Sequence, residues 1–311
     1  MRFNWIDDYW RLITIITNIK RIGDPQIILF EGKYYCYATS HDKGFLVWES
    51  EDLVNWGEPV LCFEAKDDHW AYKDYWAPEV IYHNGKFVMH YSGRQRSNDS
   101  LRLGVAVSDS PLGPFVDVKN APLFDYGYAA IDGSILVYQG KCYLYYSRDC
   151  SENLVDGVHT SQLYCVELDD TLTKVIGEPK LVTTPEYEFE RLCLASNWIW
   201  NEGPFVIEYN GRLVMNYSAN HYASNDYSIC IATSNDPMGP WVKEEKANPV
   251  LRARDGMFGA GHNAFFYNKE GELMTSFHIQ TDPEHPSGDR TVCIGRVTFK
   301  EVDGVLYQYI D

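Results

Sequence analysis

The sequence predicts an all-β protein, a five-bladed β-propeller with four antiparallel strands per blade, and three observations predict it. Five segments share one form: a variable residue, a short apolar strand, a turn with glycine and an aromatic-rich strand. Each turn glycine stands between two β-prone runs and is usually followed by Lys or Arg, which is a hairpin signal. A second hairpin then follows each first one. Two hairpins per repeat make a four-stranded unit, and five units arranged radially remove the exposed sheet edges by closing on themselves. A sandwich would have to acquire the same pattern five times by accident.

The blades begin near residues 24, 77, 132, 202 and 262, within one domain spanning 1–311. Their openings are Asp24-Pro25-Gln26, Ala77-Pro78-Glu79, Asp132-Gly133-Ser134, Glu202-Gly203-Pro204 and His262-Asn263-Ala264. Their second strands are KYYCYATS, KFVMHYSG, KCYLYYSR, RLVMNYSA and ELMTSFHI, reached through Gly32, Gly85, Gly140, Gly211 and Gly271. The second hairpins start at Phe45, Leu103, Leu163, Ile229 and Val292, each a short strand, a polar turn and another strand. No helix of consequence is needed. The connections 150–163 and 184–200 read as loops, and the latter is expected to lie over one face.

Lys and Arg number 27 against 44 Asp and Glu, so the net charge of −17 repels a polyanion and argues against a nucleic-acid partner. No uninterrupted apolar run approaches the ~18 residues of a membrane span. The N-terminal segment carries Asp7 and Asp8 where a secretory leader has positive charge, and it reads as a mature start in a cytoplasmic protein. Eight cysteines are scattered without a CxxC pair, and several alternate with aromatics in strand-like runs, so they read as small core residues rather than disulfides or zinc ligands.

The first residue of each repeat carries the chemistry. In a propeller the first strand of a blade lines the axis, so Asp24, Ala77, Asp132, Glu202 and His262 are expected to ring one end of it in a common register. One Asp alone is a turn cap. Three carboxylates converging on an axis cost desolvation and repulsion that packing does not ask for. The chemistry that needs them is glycosidic bond cleavage: an acid for the leaving oxygen, a base for water and a third carboxylate to orient the acid.

Here the chain resembles glycoside hydrolase family 43. The resemblance rests on Gly23-Asp24-Pro25, Tyr75-Trp76-Ala77-Pro78-Glu79, Ile131-Asp132-Gly133-Ser134, Glu202-Gly203-Pro204 and Gly261-His262-Asn263, with blade turns at 50–56 and 239–241. It implies Asp24 as general base, Glu202 as general acid and Asp132 as the carboxylate that raises the acid's pKa. It also implies an inverting enzyme, with base and acid about 6.5–9.5 Å apart. Trp76 resembles the family's aromatic wall beside the sugar, a place a blade-packing Trp would also fill. Arg290 resembles a pocket arginine that binds sugar hydroxyls. His262 is either a ligand to a structural calcium ion on the axis or an orienting hydrogen-bond partner. The chemistry itself asks for no cofactor.

The family chiefly removes α-L-arabinofuranosyl or β-D-xylosyl units from plant polysaccharides. About 50 residues follow His262, which leaves no room for the second domain of many family xylosidases and tilts the expectation toward terminal α-L-arabinofuranosyl release from arabinan or arabinoxylan oligosaccharides. A β-D-xylosidase, an endo-arabinanase and a non-catalytic sugar-binding propeller are the alternatives. The long loops, if they wall the face, close a pocket and favour exo action.

Overall fold

The computed structural model describes residues 14–254 and 256–311, and the segment with Asp7, Asp8 and Leu12 lies outside them. The described chain is all-β, and its helical turns are four short 3₁₀ segments. No helix among the described residues is long and apolar enough to cross a membrane.

Five inner strands begin the repeats: Ile15–Phe30, Ala71–His83, Ala130–Tyr138, Asn201–Tyr209 and Gly261–Tyr267. Each pairs antiparallel with the strand that follows it. Four of these hairpins turn in two residues, Glu31-Gly32, Asn84-Gly85, Gln139-Gly140 and Asn210-Gly211. All eight residues have positive φ, as a type I′ turn requires. The fifth turn is longer, because Tyr267 pairs with Leu273.

The four-strand expectation holds for the first three units and for the last. The first continues through Gly44–Ser50 and Val60–Glu64, the second through Leu101–Ser108 and Val116–Asp117, and the third through Gln162–Leu168 and Lys180–Thr183. The fourth unit has three strands. At its outer edge two isolated bridges, Val242 to Thr233 and Leu251 to Ile229, stand in place of a fourth strand, and Pro240 and Pro249 near them have no N–H to donate. In the last unit, Arg290–Val302 pairs with Leu273–Gln280 on one side. On the other it pairs first with residues 15–22 and then with Val305–Ile310. The strand Ile15–Phe30 therefore belongs to the last unit by its first half and to the first unit by its second. Nothing in the repeat pattern announces this.

The core lies between neighbouring sheets, in five main clusters. Tyr37, Phe45 and Tyr91 join units one and two; Leu103, Leu144 and Tyr146 join two and three. Tyr145, Met215 and Tyr217 join three and four; Ile229, Phe265 and Phe277 join four and five. Ile27, Cys36, Phe266 and Ile294 join five back to one. All eight cysteines are free, and seven are buried, as their apolar alternation implied.

One interaction repeats in all five units. The backbone N–H of Ala77 donates to Thr39 Oγ1 at 2.8 Å, that of Asp132 to Ser92 Oγ at 3.0 Å and that of Gly203 to Ser147 Oγ at 3.3 Å. His262 N–H donates to Ser218 Oγ at 2.7 Å, and Asp24 N–H to His278 Nδ1 at 3.1 Å. Each inner strand is thus tied to the second strand of the unit before it, and the fifth bond returns to the first strand. The donors Asp24, Ala77, Asp132, Gly203 and His262 all have φ between 45° and 58°. For the four that are not glycine this conformation costs on the order of 1–2 kcal/mol each.

Replacing Ser92, fully buried, by Ala orphans the Asp132 N–H. A loss of about 1–3 kcal/mol in unfolding free energy is expected, read as a lower urea midpoint at unchanged slope.

Candidate active site

A cavity of about 440 Å³ opens over one end of the inner strands. Asp24, Asp132, Glu202, Trp76, His262 and Arg290 all line it. The six residues singled out in the sequence therefore converge.

Their register differs from the expectation. The residues that pair with Thr39, Ser92, Ser147, Ser218 and His278 are Gly23, Trp76, Ile131, Glu202 and Gly261. The left-handed residue follows each of them, and in the fourth strand it is Gly203, not Glu202. Glu202 thus sits one place ahead of the position assigned to it, in register with Trp76 and Ile131. Only two acids share the ring position. A Cβ at residue 203 would press on the His262 ring, which favours glycine there.

Both places line the cavity: Asp24, Asp132 and His262 at the left-handed position, and Trp76, Ile131 and Glu202 at the one before it. In the two glycine copies another residue fills the room. A Cβ on Gly23 would collide with the Arg290 guanidinium, and one on Gly261 with the Tyr227 ring.

Asp24 is held in its ionised form. Burial would raise its pKa, but Arg290, His262, His278 and the Thr39 hydroxyl together outweigh that and drive it far below the usual carboxylate range. Thr39 Oγ1 donates to Oδ2 at 2.6 Å, Arg290 Nη1 to Oδ1 at 2.9 Å, and His262 Nδ1 lies 3.3 Å from Oδ1. His278 is buried, and burial with Arg290 nearby keeps it neutral. Its Nδ1 accepts the Asp24 N–H at 3.1 Å, and its Nε2 faces Arg290 Nη1 at 3.4 Å. Arg290 therefore serves Asp24 directly, with its cation also over the Tyr222 ring at 5.0 Å.

Asp132 and Glu202 go the other way. Burial raises both; the charge of Asp132 raises Glu202 further, while for Asp132 the charges of Asp24 and Asp149 work against His262 and the Gly203 N–H. Asp132 is anchored at Oδ2 by the Gly203 N–H at 3.1 Å and Ser147 Oγ at 3.2 Å. Glu202 accepts one hydrogen bond, from the Tyr227 hydroxyl at 2.9 Å. One site thus holds a carboxylate kept charged and a carboxyl kept protonated, the arrangement that separates a base from an acid.

Trp76 is half-buried and packs with Leu101, Ala129 and Ile131 while still facing the cavity, so both of its readings describe it. His262 brings a single imidazole nitrogen. It also lines a small space with Asp24, Gln26, Glu79, Asp132 and Asn263, where calcium would need about six to eight oxygens, waters among them. Among the described residues, the His, Cys and carboxylate atoms grouped closely enough to hold a metal are His83, Cys142 and Asp170, none of which lines the cavity.

The long connections are not plain loops. Segments Leu154–Val155, Val158–Thr160 and Trp198–Ile199 form a small sheet in which the two connections pair in parallel. His159 stacks on Trp198 at 3.9 Å, and Trp198, Trp200, His221 and Tyr222 then wall the cavity. The base of this wall is a buried ion pair, Lys243 Nζ to Glu190 Oε1 at 2.7 Å; Lys243 also donates to Asn201, the neighbour of Glu202. Asp149 adds a fourth carboxylate to the lining. Two bays adjoin the cavity: about 390 Å³ beside Trp76 and Arg290, reaching Arg21, Lys73 and Asp74, and about 540 Å³ beside Trp198, Trp200 and His221.

The sequence reading missed Asp149, Trp198, Trp200, His221, Tyr222 and Tyr227. The i, i+2 pair Trp198/Trp200 in a connection already expected to cover a face was the usable signal for the wall.

Known proteins resemble this chain along nearly its whole length. The model of the family described as glycosyl hydrolases family 43 matches residues 16–306. The crystal structure of a thermostable family-43 glycoside hydrolase superposes with a TM-score of 0.88 at 44% identity, covering 94% of each chain. That of an endo-1,4-β-xylanase from Bacteroides thetaiotaomicron superposes with a TM-score of 0.80 at 30% identity, covering 96% of each. A β-D-galactofuranosidase of Aspergillus niger is 25% identical over 91% of this chain and 81% of its own. A xylosidase/arabinosidase of Bacteroides ovatus is 25% identical over 71% and 76%.

Replacing Glu202 by Gln removes a carboxyl whose folded pKa is raised. Such a group contributes stability below its unfolded pKa of about 4.3, and the contribution is lost as pH rises toward the folded value. Glu202→Gln is therefore expected to melt above the wild type, with the gap in Tm wider at pH 8 than at pH 5.

Proposed function

The chain belongs to glycosyl hydrolases family 43, and on that footing we propose that it releases terminal α-L-arabinofuranosyl units from plant-derived oligosaccharides with inversion at the anomeric carbon. It is a glycosidase. The observation that carries the acid–base reading is the opposed surroundings of two carboxyls in one cavity: Asp24 against Arg290 and Thr39, and Glu202 with the Tyr227 hydroxyl as its hydrogen-bond donor.

In this reading Asp24, ionised by Arg290, takes the proton of the attacking water. Glu202, protonated through burial beside Asp132, gives its proton to the leaving oxygen. Asp132, fixed by Gly203 and Ser147, keeps the Glu202 proton on and offers its other oxygen to the sugar. His262, 3.3 Å from Asp24 Oδ1, helps orient the base. The five-bladed propeller belongs to the same proposal, supported by the cycle of five hydrogen bonds and the five cores between sheets.

The wall of Trp198 and Trp200 supports exo action, since it bounds the cavity on the side where the two long connections meet. The bays on both flanks favour a second reading, internal cleavage of arabinan, because a chain passing through the cavity would occupy both.

Chromatography of products from linear arabino-oligosaccharides separates these readings. Monosaccharide from the first time point supports exo release, and a ladder of shorter oligomers supports the internal cut. Asp24→Asn and Glu202→Gln are each expected to lower kcat on the oligosaccharide about 10²–10⁴-fold with the fold intact. Proton NMR should find the first-formed sugar in the inverted anomer; retention would overturn the roles of Asp24 and Glu202. Trp200→Ala is expected to raise KM for oligosaccharides several-fold more than for a nitrophenyl pentoside.

A further inference from the structure

Tyr227 has no part in the three-carboxylate scheme, yet its hydroxyl is the hydrogen-bond donor on Glu202. The ring is fully buried and stacks on His278 with centroids 5.5 Å apart and planes 5° from parallel. His278 in turn accepts the backbone N–H of Asp24. Gly261 leaves the room in which the ring lies. Tyr227 therefore lies between His278, which holds the Asp24 backbone, and the carboxyl that serves as the acid.

A protonated carboxyl has two oxygens, and only one can hold the transferable proton at a time. Oε1 of Glu202 accepts the phenol proton, and the carbonyl oxygen of a carboxylic acid is a far better acceptor than its O–H oxygen, so this bond favours the proton on Oε2. We propose that Tyr227 is a positioning residue that reserves Oε1 as an acceptor, so that Oε2 carries the proton and delivers it to the glycosidic oxygen. The inference rests on Glu202 being the general acid.

The step balances. The Oε2–H bond breaks as the glycosidic C–O bond breaks, the proton goes to the leaving alcohol, and the water that adds to the anomeric carbon gives its proton to Asp24. Other groups facing Glu202 are Asp132, Asp149 and Asp24, all acidic, and the Cys150 thiol. Tyr227 is the group facing Glu202 that favours its ionised form, and removing its hydroxyl has a definite sign: the Glu202 carboxyl should hold its proton to higher pH.

The experiment compares pH profiles of kcat/KM for wild type, Tyr227→Phe and Glu202→Gln. It uses a 4-nitrophenyl pentoside and a matched disaccharide, both hydrolysed by the wild type. Tyr227→Phe is expected to move the alkaline limb up by about one pH unit. It should cost roughly tenfold on the disaccharide, which needs the proton, and less on the nitrophenyl substrate. Gly261→Ala, whose added carbon would displace the ring, should move the limb the same way. A limb unchanged in Tyr227→Phe, or an equal loss on both substrates, overturns the proposal while leaving Glu202 as the acid. Wild-type disaccharide activity in Glu202→Gln overturns the acid assignment itself, and the role of Tyr227 with it.

Discussion

The structure depends on a backbone amide handed from each inner strand to the strand beside it. Five N–H groups, four on non-glycine residues in a left-handed conformation, find acceptors in Thr39, Ser92, Ser147, Ser218 and His278. The left-handed turn kinks each inner strand, as the register shifts there record, and aims the amide sideways instead of along the sheet. The same kink aims side chains at the axis. Structural closure and assembly of the site are thus one event: Thr39 and Ser147 accept an amide from the next unit and donate to the carboxylates of their own.

Around this frame the buried charges are arranged unevenly. Asp24 is matched by Arg290 and flanked by two imidazoles, whereas Glu202 sits among acids with one phenol for support. A fold selected only for stability would not keep Glu202 and Asp132 in mutual repulsion. The asymmetry is what allows two chemically similar carboxyls to take opposite protonation states in one solvent-screened cavity. Where strict structural support is wanted, as beneath the aromatic wall, the chain uses a fully paired set instead: Glu190 with Lys243, Asn201, Tyr217 and two backbone amides.

The repeat was legible because hairpin glycines and strand alternation are local, and the inner strands fell where those signals put them. The acids were legible because their neighbours Gly23, Pro25, Gly133 and Gly203 are local as well. The error at residue 202 came from aligning carboxylates with one another. The backbone aligns left-handed residues instead, and glycine occupies that place in the fourth copy without looking like Asp24 or Asp132. The turn spacing held the correction, since Gly211 falls as far after Gly203 as Gly32 does after Asp24. Tyr227, Asp149 and His159 were hidden for another reason. Their role comes from what the ring brings near them, and no sequence interval encodes that. The dual membership of Ile15–Phe30 was hidden likewise, because its partner strand lies at the other end of the described chain.

That shared strand bears on how the protein is made. Thr17 bonds to Val292 across 275 residues of chain, so on the ribosome the early half of the strand emerges long before its partner exists. Until then its amides and carbonyls stand open to any neighbouring polypeptide, including another copy waiting in the same condition. Synthesis therefore leaves an adhesive seam exposed for most of its duration, and holding that seam apart is a task for the cell rather than for the finished fold.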